Sequence, residues 1–535
     1  MTTRRLFLSA AASGLFLPNL SRGQTGLRLA EFGAHPGGED VSAAFARGLA
    51  AAAARGVELI LEPGTYLIGR APGSVRDAAD HNVPELRDAR VLLRGAGAAR
   101  TRLISRPRPT AANGGLPVSA PILKSVGAER VVIQGVTLDG GLTQVAPGLR
   151  RGPDAEAAAL LEIRDARSCR LQDVIVTGFA GHWDTRAPQT GAYGRRGPLL
   201  IANCGDVELL QITLRHPTFR EGVFVHDARR VVVRGFRHEG PAESTQRGVS
   251  TPLHIMGGQT GEVLVEDFAT RGVWAGSLMN LGGPGRFTLR GIRARGLITS
   301  LERSNVNRQA PLEHRNGGKG IDIGAEINEA EEVGQACTAL LRLEDVLLED
   351  MQAYSIKATR RPDCALGKLS LGPNVRVEGG FQALAATHVG ECEGSLTARR
   401  MLRYEGERGG AVAVALVHCG GGRLALDIEG APRSGLGVLR VASSGLVLSG
   451  SIANFGAGGL VDEVRDVADD ARWDALCERL DIIPPTGGTA NAFRMGRGPT
   501  RRLRQVNLAG CSIGGQRLQT GMPGLVIHAV NTVIR

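Results

Sequence analysis

The sequence has few aromatic residues and no long apolar run after its N-terminal segment. Aromatic residues make up 4% of the 535 residues, whereas glycine occurs 75 times. This composition disfavours a globule packed around large aromatic clusters and is typical of a fold with many tight turns and small inward side chains. No later segment is long enough to cross a bilayer, so we expect a soluble mature chain without stable membrane insertion.

Residue spacings typical of metal sites are also absent from the sequence. The 8 cysteines include no C-x-x-C pair, and the 11 histidines include no H-x-H or H-x-x-x-H pair. We therefore expect no metal site and no cofactor, with Ca²⁺ as the one ion left open.

The N-terminus has the features of a twin-arginine export signal. Arg4-Arg5 is followed by Leu6-Phe7-Leu8 and by an apolar stretch to Leu17 that is too short for a permanent membrane span. We expect residues 1–23 to be this signal, residues 24–535 to form a single domain, and the mature protein to be periplasmic or secreted.

The formal net charge is +11, but the basic residues are scattered along the chain. A basic balance suits nucleic acid, an anionic membrane surface or an acidic polymer. Because export disfavours nucleic acid, we expect the partner to be an anionic polysaccharide or oligosaccharide. The oligomeric state is left open.

A short pair of apolar residues separated by one residue recurs along most of the chain. Alternation of this kind is the period of a β-strand with one buried face. In many copies another apolar residue follows three places later, often directly after Gly or Asp, which indicates a strand, a tight bend and a second strand. The pairs are Val131/Ile133, Cys169/Leu171, Val207/Leu209, Val231/Val233, Val263/Val265, Phe287/Leu289, Leu341/Leu343, Leu369/Leu371, Leu396/Ala398, Leu424/Leu426, Leu446/Leu448 and Val506/Leu508.

The spacing of these pairs predicts one coil of a solenoid per repeat. A β-sandwich would need hairpin signals at shorter intervals, and a leucine-rich repeat would need its Asn/Cys ladder, and both are missing. We therefore expect an all-β, right-handed parallel β-helix. Cys337, Cys364, Cys392 and Cys419 recur at nearly the same interval, so we expect stacked, buried core thiols rather than a disulfide ladder or metal site.

Two helices are expected to accompany the coils. Val41, Ala44, Phe45 and Leu49 lie on one face of a helix over 41–54 that begins beside Asp40 and can cover the open first coil. Residues 460–480 are predicted to form a helical insert near the C-terminus.

Residues 29–69 resemble the opening of pectate-lyase-like and polygalacturonase-related β-helix proteins. The matching pieces are a Phe32-Gly33-Ala34 strand, the acidic Glu39-Asp40 loop, the capping helix and a Pro63-Gly64-Thr65-Tyr66-Leu67 strand. The resemblance implies a parallel β-helix with a carbohydrate-related role. It implies no particular reaction, because the same opening precedes lyases, hydrolases, epimerases and tailspike-like binders.

A second stretch, Gly320-Ile321-Asp322-Ile323, is similar to the Asn-Thr-Asp-Gly-Ile-Asp-Ile motif of polygalacturonase-type hydrolases. The position of that family's first, catalytic Asp is occupied here by Lys319, and its other motifs are not visible. The resemblance therefore does not supply the hydrolase machinery.

Function on a solenoid is expected in long polar turns that leave one side of the rod. The longest such excursions are 177–198, 214–226, 236–256 and 299–332. Candidate catalytic residues in them are Lys319, Asp322, His182, Arg315 and Tyr193. Candidate substrate-binding residues are Trp183, Asp184, Arg186, Arg220, Glu221, His314 and Glu326.

These residue types suit β-elimination on a uronate-containing polysaccharide. Lys319, with Arg315 and His314, would neutralise the uronate carboxylate and take the C5 proton, while Tyr193 or His182 would protonate the leaving oxygen. An inverting hydrolase is the first alternative and would need two carboxylates from Asp184, Glu221, Asp322 and Glu326. A non-catalytic glycan-binding or envelope scaffold β-helix is the second alternative. His254 and His216 could equally be packed histidines.

Overall fold

The structure is a computed structural model. The described residues are 26–37, 40–69, 85–106, 108–109, 117–118, 121–141, 159–179, 197–215, 222–240, 251–272, 274, 277–296, 319–323, 339–351, 354–359, 366–380, 382–401, 412–430, 436–441, 443, 445–453, 461–464, 505–509, 512–514, 526–530 and 533–534.

The first of two long parallel sheets, sheet A, has strands of ten residues in most of its central coils. Most of these strands bend once near the middle, as the sequence pattern predicts. Its strands are β1 Leu27–Arg28, β2 Leu59–Ile60, β3 Gly64–Ile68, β5 Val91–Arg94, β6 Thr101–Ser105, β10 Arg130–Asp139, β12 Ser168–Thr177, β14 Asp206–Arg215, β16 Arg230–Glu239, β18 Glu262–Arg271, β20 Arg286–Arg295, β22 Leu340–Glu349, β24 Leu366–Leu371, β25 Val375–Glu378, β27 Val389–Met401, β29 Gly421–Gly430, β31 Leu446–Ala453, β33 Gln505–Ala509, β34 Ser512–Gly514, β35 Val526–Val530 and β36 Val533–Ile534.

The second sheet, sheet B, consists of shorter strands that alternate along the chain with those of sheet A. They are β4 Glu85–Arg87, β9 Leu123–Val126, β11 Leu161–Arg164, β13 Leu199–Ala202, β15 Val223–His226, β17 Leu253–Met256, β19 Ser277–Leu281, β21 Lys319–Ile323, β23 Tyr354–Thr359, β26 Gln382–Thr387, β28 Val412–Val417, β30 Leu436–Val441 and β32 Val461–Val464. A short antiparallel pair joins β7 Arg108–Pro109 to β8 Pro117–Val118.

Each coil therefore consists of a long sheet A strand, a connection of variable length, a short sheet B strand and a tight turn. β16, β17 and β18 show this order, and β16 pairs in parallel with β18 while β15 pairs with β17. Parallel pairing between successive coils, with right-handed crossovers, makes the chain a right-handed parallel β-helix. The fold expected from the sequence is confirmed.

One continuous apolar core fills the space between the two sheets. It runs from Leu27 near the N-terminal end to Leu448, and most of its members are fully buried. A 14-residue helix, α1 (Ser42–Arg55), covers the first coil with Ala44, Phe45, Leu49 and Ala52 facing the core. The capping helix predicted over 41–54 is confirmed, and the Asp40 carboxylate accepts a hydrogen bond from the Ser42 main-chain N–H at 2.9 Å.

The bend in the sheet A strands is made by residues with positive φ. Gly135, Gly235 and Gly291 have φ of 66–68°, and Asp267 and Asp345 occupy the equivalent positions with φ of 55° and 51°. Glycine adopts this left-handed conformation without steric cost, and Asp tolerates it better than most residues. The Gly or Asp that precedes the second apolar residue of the repeat is therefore the bend itself.

The predicted register is correct for the first eight apolar pairs, wrong for the next three steps, and correct again for the last step, where Leu448 lies opposite Leu508. Val131 through Leu369 stand opposite one another on successive coils. Leu369 then lies opposite Cys392, and Leu396 lies opposite Leu426 instead of Leu424. β27 has 13 residues with apolar alternation in both halves, and a two-residue period fits either half equally well.

Three further expectations are corrected. Val461–Val464 forms strand β32, opposite β30, where a helix over 460–480 was predicted; the rest of that range lies outside the described residues. Tertiary pairing decides this segment, because Val461 and Val464 suit a helical face and a strand alike. Phe32 ends a 3₁₀ helix, Leu29–Phe32, rather than belonging to a strand.

The third correction concerns the cysteines. Cys392 and Cys419 are buried free thiols, as expected, but they do not stand opposite each other, because Cys392 faces Gly422 of the next coil. Cys337 and Cys364, like the export signal at 1–23, lie outside the described residues. Among the described residues, no helix is both long and apolar enough to span a membrane.

Candidate functional site

The outer surface of sheet B carries a row of residues that stand opposite one another on successive coils. The flanking positions belong to the core, whereas the row itself faces away from it. Neighbouring members are about 4.8 Å apart along the rod, the spacing of paired strands. The row consists of Lys124, Glu162, Leu200, Phe224, His254, Asn280, Asp322, Lys357, Ala385 and Ala415.

Strict alternation breaks at the start of several sheet B strands. Leu278 and Met279 are consecutive residues of β19, and both belong to the core, as do Ala383 and Leu384 of β26. Because both residues of the doublet belong to the core, the side chain of the residue before them lies on the outer face of sheet B. Ser277 of β19 is in this position, and Tyr354 of β23, whose hydroxyl contacts the row, lies outside the core cluster as well.

Tyr354 joins three strands through its phenol oxygen. The Tyr354 hydroxyl donates to Asp322 Oδ2 at 2.6 Å, and its oxygen lies 2.9 Å from Ser277 Oγ. Bonds of this length from a hydroxyl to a carboxylate are charge-assisted and hold both groups in a fixed orientation. Tyr354, Asp322 and Ser277 are called the tyrosine cluster below.

Lysine 357 completes the polar surface beside this cluster. Its ammonium nitrogen lies 5.2 Å from the centroid of the Tyr354 ring, within the range of a cation–π contact. Lys357 also stands opposite Asp322 in the register of the sheet. Both residues are partly exposed, whereas Asn280 and His254, earlier in the row, are buried. The row is therefore partly exposed at Asp322 and Lys357, between the buried Asn280 and Ala385.

Gly320 allows the close approach of the two strands that carry the tyrosine cluster. A Cβ atom at this position would lie 1.9 Å from the main-chain oxygen of Ser355. Only glycine fits there without displacing β21 or β23. The Gly-Ile-Asp segment thus places Asp322 directly beside Tyr354.

Leu200, Phe224 and His254, in the first half of the row, are buried. Leu200 and Phe224 form a small buried cluster with Ala159 and Met256 outside the main core. The His254 ring lies 4.8 Å from the Phe224 ring, centroid to centroid, and is fully buried. The interpretation of His254 as a packed histidine therefore holds.

The outer surface of sheet A is charged but internally compensated. Arg290 Nε lies 2.8 Å from Glu344 Oε2 and its Nη1 lies 3.2 Å from Glu266 Oε1, while Arg234 Nε lies 2.7 Å from Glu266 Oε2. Because opposite charges alternate from coil to coil, these arginines are already paired. The basic balance of the whole chain is not concentrated on this face.

Carboxylates in the described outer row of sheet B are far apart. Asp322 and Glu162 are separated by four intervening strands, and therefore by roughly 24 Å at the usual strand spacing. An inverting hydrolase needs a separation of roughly 6.5–9.5 Å. Within that row, Asp322 therefore has no carboxylate partner of this kind.

The described residues contain two of the twelve candidates from the sequence. Asp322 lies in the tyrosine cluster, and the main chain of Lys319 starts the same strand, opposite Ser277. The other candidates, and the side chain of Lys319, lie outside the described residues, namely His182, Arg315, Tyr193, Trp183, Asp184, Arg186, Arg220, Glu221, His314 and Glu326.

Sequence analysis missed Tyr354, Ser277, Asn280 and Lys357. All four lie in sheet B, whose strands were partly assigned to polar excursions. The excursion 214–226 in fact contains strand β15, 236–256 contains β17, and 299–332 contains β21. Strands such as Val223–His226 are buried on both faces and so show no alternation, which removes the signal that identified sheet A.

No group of three or more His, Cys, Asp or Glu side chains within the described residues is close enough to hold a metal ion.

The strand order fixes which strand ends the variable connections join. Most of the long ones, including those before β13 and β21, join the end of a sheet A strand to the start of a sheet B strand, the edge at which Ser277 and Tyr354 lie.

No family model and no curated protein matches this sequence. Among solved structures, the chain is similar to the catalytic unit of a GH87 α-1,3-glucanase from Streptomyces thermodiastaticus (12% identity, 83% of this chain and 69% of that chain, TM-score 0.39). It is also similar to the A-module of a mannuronan C-5 epimerase from Azotobacter vinelandii (14%, 95% and 99%, 0.27) and to a surface adhesin of Streptococcus pneumoniae (10%, 95% and 91%, 0.31).

These superpositions are too distant to assign a substrate or a reaction to this chain. The parallel β-helix rests on the pairing of its own strands. The closer resemblance to pectate-lyase-like and polygalacturonase-related proteins is not shown by any of the comparisons.

Proposed function

We propose that this protein is an exported enzyme that cleaves an acidic, uronate-containing polysaccharide by β-elimination on the outer face of sheet B. The observation that carries the proposal is the hydrogen bond from the Tyr354 hydroxyl to Asp322 beside the ammonium group of Lys357. Asp322 and Lys357 are partly exposed, and Tyr354 is buried beside them. A phenol, a carboxylate and a cation are the groups that proton transfer beside a substrate carboxylate requires.

Each group has a distinct role in the proposed reaction. Lys357 pairs with the uronate carboxylate and stabilises the negative charge that develops when the C5 proton leaves. Lys319, at the start of the strand that carries Asp322, takes that proton as a neutral amine. Tyrosine is protonated at neutral pH, and Tyr354 donates its proton to the glycosidic oxygen as the C4–O bond breaks.

Asp322 orients Tyr354 rather than attacking the sugar. Its carboxylate accepts the phenol hydrogen bond, and Ser277 Oγ lies 2.9 Å from the phenol oxygen. The proton taken from C5 returns to Tyr354 through Lys319 or solvent, which restores both residues. No metal takes part in these steps, and Ca²⁺ is left as a binding aid for the anionic chain.

The first experiment distinguishes β-elimination from hydrolysis and from binding without cleavage. The purified protein is incubated with alginate, polygalacturonate and glycosaminoglycans, with and without chelator, and ultraviolet absorbance and reducing ends are measured. An unsaturated uronate product absorbs, so absorbance supports elimination. Reducing ends without absorbance would instead establish the hydrolase, and binding without either product would establish a glycan-binding β-helix.

The second experiment tests the site. Tyr354→Phe removes the hydroxyl and keeps the ring, and we expect kcat on the responsive substrate to fall by a factor of about 10²–10⁴, the usual contribution of a positioned acid. The matched control is Tyr66→Phe, which removes another buried hydroxyl that donates to the Glu62 main-chain oxygen at 3.1 Å in the first coil. If both variants retain the activity of the parent, Tyr354 is not the acid.

Export is a separate part of the proposal and rests on Arg4-Arg5 and the short apolar stretch after them. We expect residues 1–23 to carry a folded reporter out of the cytoplasm. Replacing both arginines with lysine should retain the reporter in the cytoplasm, which cell fractionation measures. Equal export of the two fusions would contradict a twin-arginine signal.

A further inference from the structure

Four of the cysteines form two pairs with the same position in the fold. Cys169 is the second residue of β12 and faces Val207, whereas Cys204 lies three residues before Val207 on the next coil. Cys392 faces Gly422, and Cys419 lies three residues before Gly422 on the next coil. Both pairs therefore combine one residue of a sheet A strand with one residue of the turn that leads into the following strand.

The main chain around the two pairs is also equivalent. Gly205 N donates to Ala166 O at 2.9 Å, and Gly420 N donates to Val389 O at 2.8 Å. In each case the donor directly follows the second cysteine, and the acceptor lies three residues before the first. The turn between a sheet B strand and the next sheet A strand therefore has the same main-chain hydrogen bond at both places in the rod.

All four side chains are directed into the core at this corner. Their exposure is 2% or less. The Cys204 thiol donates to Ala202 O at 3.3 Å, and the Cys419 thiol donates to Val417 O at 3.8 Å. The Cys392 and Cys419 side chains hydrogen-bond each other, and the Cys169 thiol lies close enough to Cys204 to interact with it electrostatically.

We infer that Cys169–Cys204 and Cys392–Cys419 are two sites of thiol oxidation, each closing into a disulfide that links adjacent coils. In each reaction two S–H bonds break and one S–S bond forms. Two electrons and two protons pass to a disulfide oxidant, which is reduced to two thiols. All four cysteines are free thiols in this structure.

The pKa shifts of the four thiols agree with a neighbouring thiol in each pair. Burial, followed by the proximity of Cys204, raises the pKa of the Cys169 thiol well above its usual range, and burial raises the pKa of Cys204 to about 11. A hydrogen bond between the Cys392 and Cys419 side chains raises the pKa of the first and lowers that of the second. Because thiolates are the reactive form, oxidation should precede complete burial, and reduction of the folded protein should be slow.

Peptide mapping tests the inference directly. The full chain is incubated with oxidised glutathione at increasing urea concentrations, returned to buffer, alkylated with iodoacetamide in denaturant and digested. We expect linked peptides that contain Cys169 with Cys204 and Cys392 with Cys419. Full alkylation of these four cysteines, or linkage of any of them to Cys337, Cys364, Cys477 or Cys511, would overturn the inference.

Stability gives a second readout. We expect the oxidised protein to unfold at a higher urea concentration than the reduced protein, because each bond closes a long loop in the unfolded chain. The double variant Cys392→Ala/Cys419→Ala should lose part of this difference, whereas Cys337→Ala/Cys364→Ala should keep it. A urea midpoint that does not respond to reduction in the parent protein would overturn the proposed links. Neither measurement depends on the proposed lyase activity.

Discussion

At the scale of single residues, the position of Tyr354 depends on a glycine in the neighbouring strand. Gly320 brings β21 against β23, and the result is the 2.6 Å bond between Tyr354 and Asp322. The sequence around Tyr354 does not distinguish it from other tyrosines. Tyr354 and Asp322 can meet because Gly320, the residue directly after Lys319, has no side chain.

Gly320→Ala should therefore damage the site and destabilise the protein. The added Cβ would lie 1.9 Å from Ser355 O, and forcing two strands apart costs roughly 1–3 kcal/mol. We expect a lower urea midpoint by circular dichroism and a loss of activity on the responsive substrate.

Gly282→Ala is the matched control, because the nearest atom to its added Cβ is Met256 Cβ at 3.6 Å, an ordinary contact. We expect this variant to keep the stability and activity of the parent. Equal effects of the two substitutions would contradict the steric role of Gly320.

At the scale of secondary structure elements, neighbouring sheet A strands are joined by a repeated ionic motif. Arg237 and Arg293 each lie two residues after a bend glycine, and each donates to the carbonyl oxygen and carboxylate of the bend Asp on the next coil. Arg293 Nη1 lies 2.6 Å from Asp345 O and Nη2 lies 2.6 Å from Asp345 Oδ1, and Arg237 makes the same contacts to Asp267. Each arginine thus binds both the side chain and the main chain of the Asp that forms the bend.

Arg293→Ala should lower the free energy of unfolding by roughly 0.5–1 kcal/mol, since the pair is partly exposed to solvent. We expect a reduced urea midpoint, with less difference from the parent at high salt because screening weakens the pair. Arg286→Ala, at the other end of the same strand, is the control and should change the midpoint less. A larger effect of Arg286→Ala would refute the motif as a stabilising contact.

At the scale of the whole molecule, ion pairs between coils make stability depend on pH. The hydrogen bond from Arg290 lowers the pKa of Glu344, and the hydrogen bond from Arg399 lowers the pKa of Asp427. A carboxylate whose pKa is lowered by folding contributes stability above its unfolded pKa, about 4 for Asp and Glu, and loses it as pH falls through the folded value.

We therefore expect the urea midpoint to be nearly constant from pH 7 to about 5 and to fall below about pH 4. Circular dichroism at fixed urea steps measures this dependence. Glu344→Gln should be less stable than the parent at pH 7 and should approach it at low pH, where Glu344 is protonated in both states. A constant difference between the two proteins across this range would contradict the assigned ion pair.

The extent to which sequence predicted structure differs between the two sheets. The apolar alternation of sheet A and its Gly or Asp bends were readable because one face is buried and the other exposed. The strands Leu199–Ala202 and Leu253–Met256 are buried on both faces, so their composition resembles any short apolar run. Sheet B, and with it Tyr354 and Lys357, was therefore not predicted.

The sequence by itself determined the winding of this chain and the residues that bend it. A two-residue period with one buried face requires a strand, and a Gly or Asp at the same place in successive repeats requires a turn there, wherever the coil lies in the rod. Tertiary structure alone decided which residues meet. The tyrosine cluster brings together residues that are far apart in the sequence, since 77 residues separate Ser277 from Tyr354. They become neighbours because connections of unequal length between them still return the chain to the same edge of sheet B.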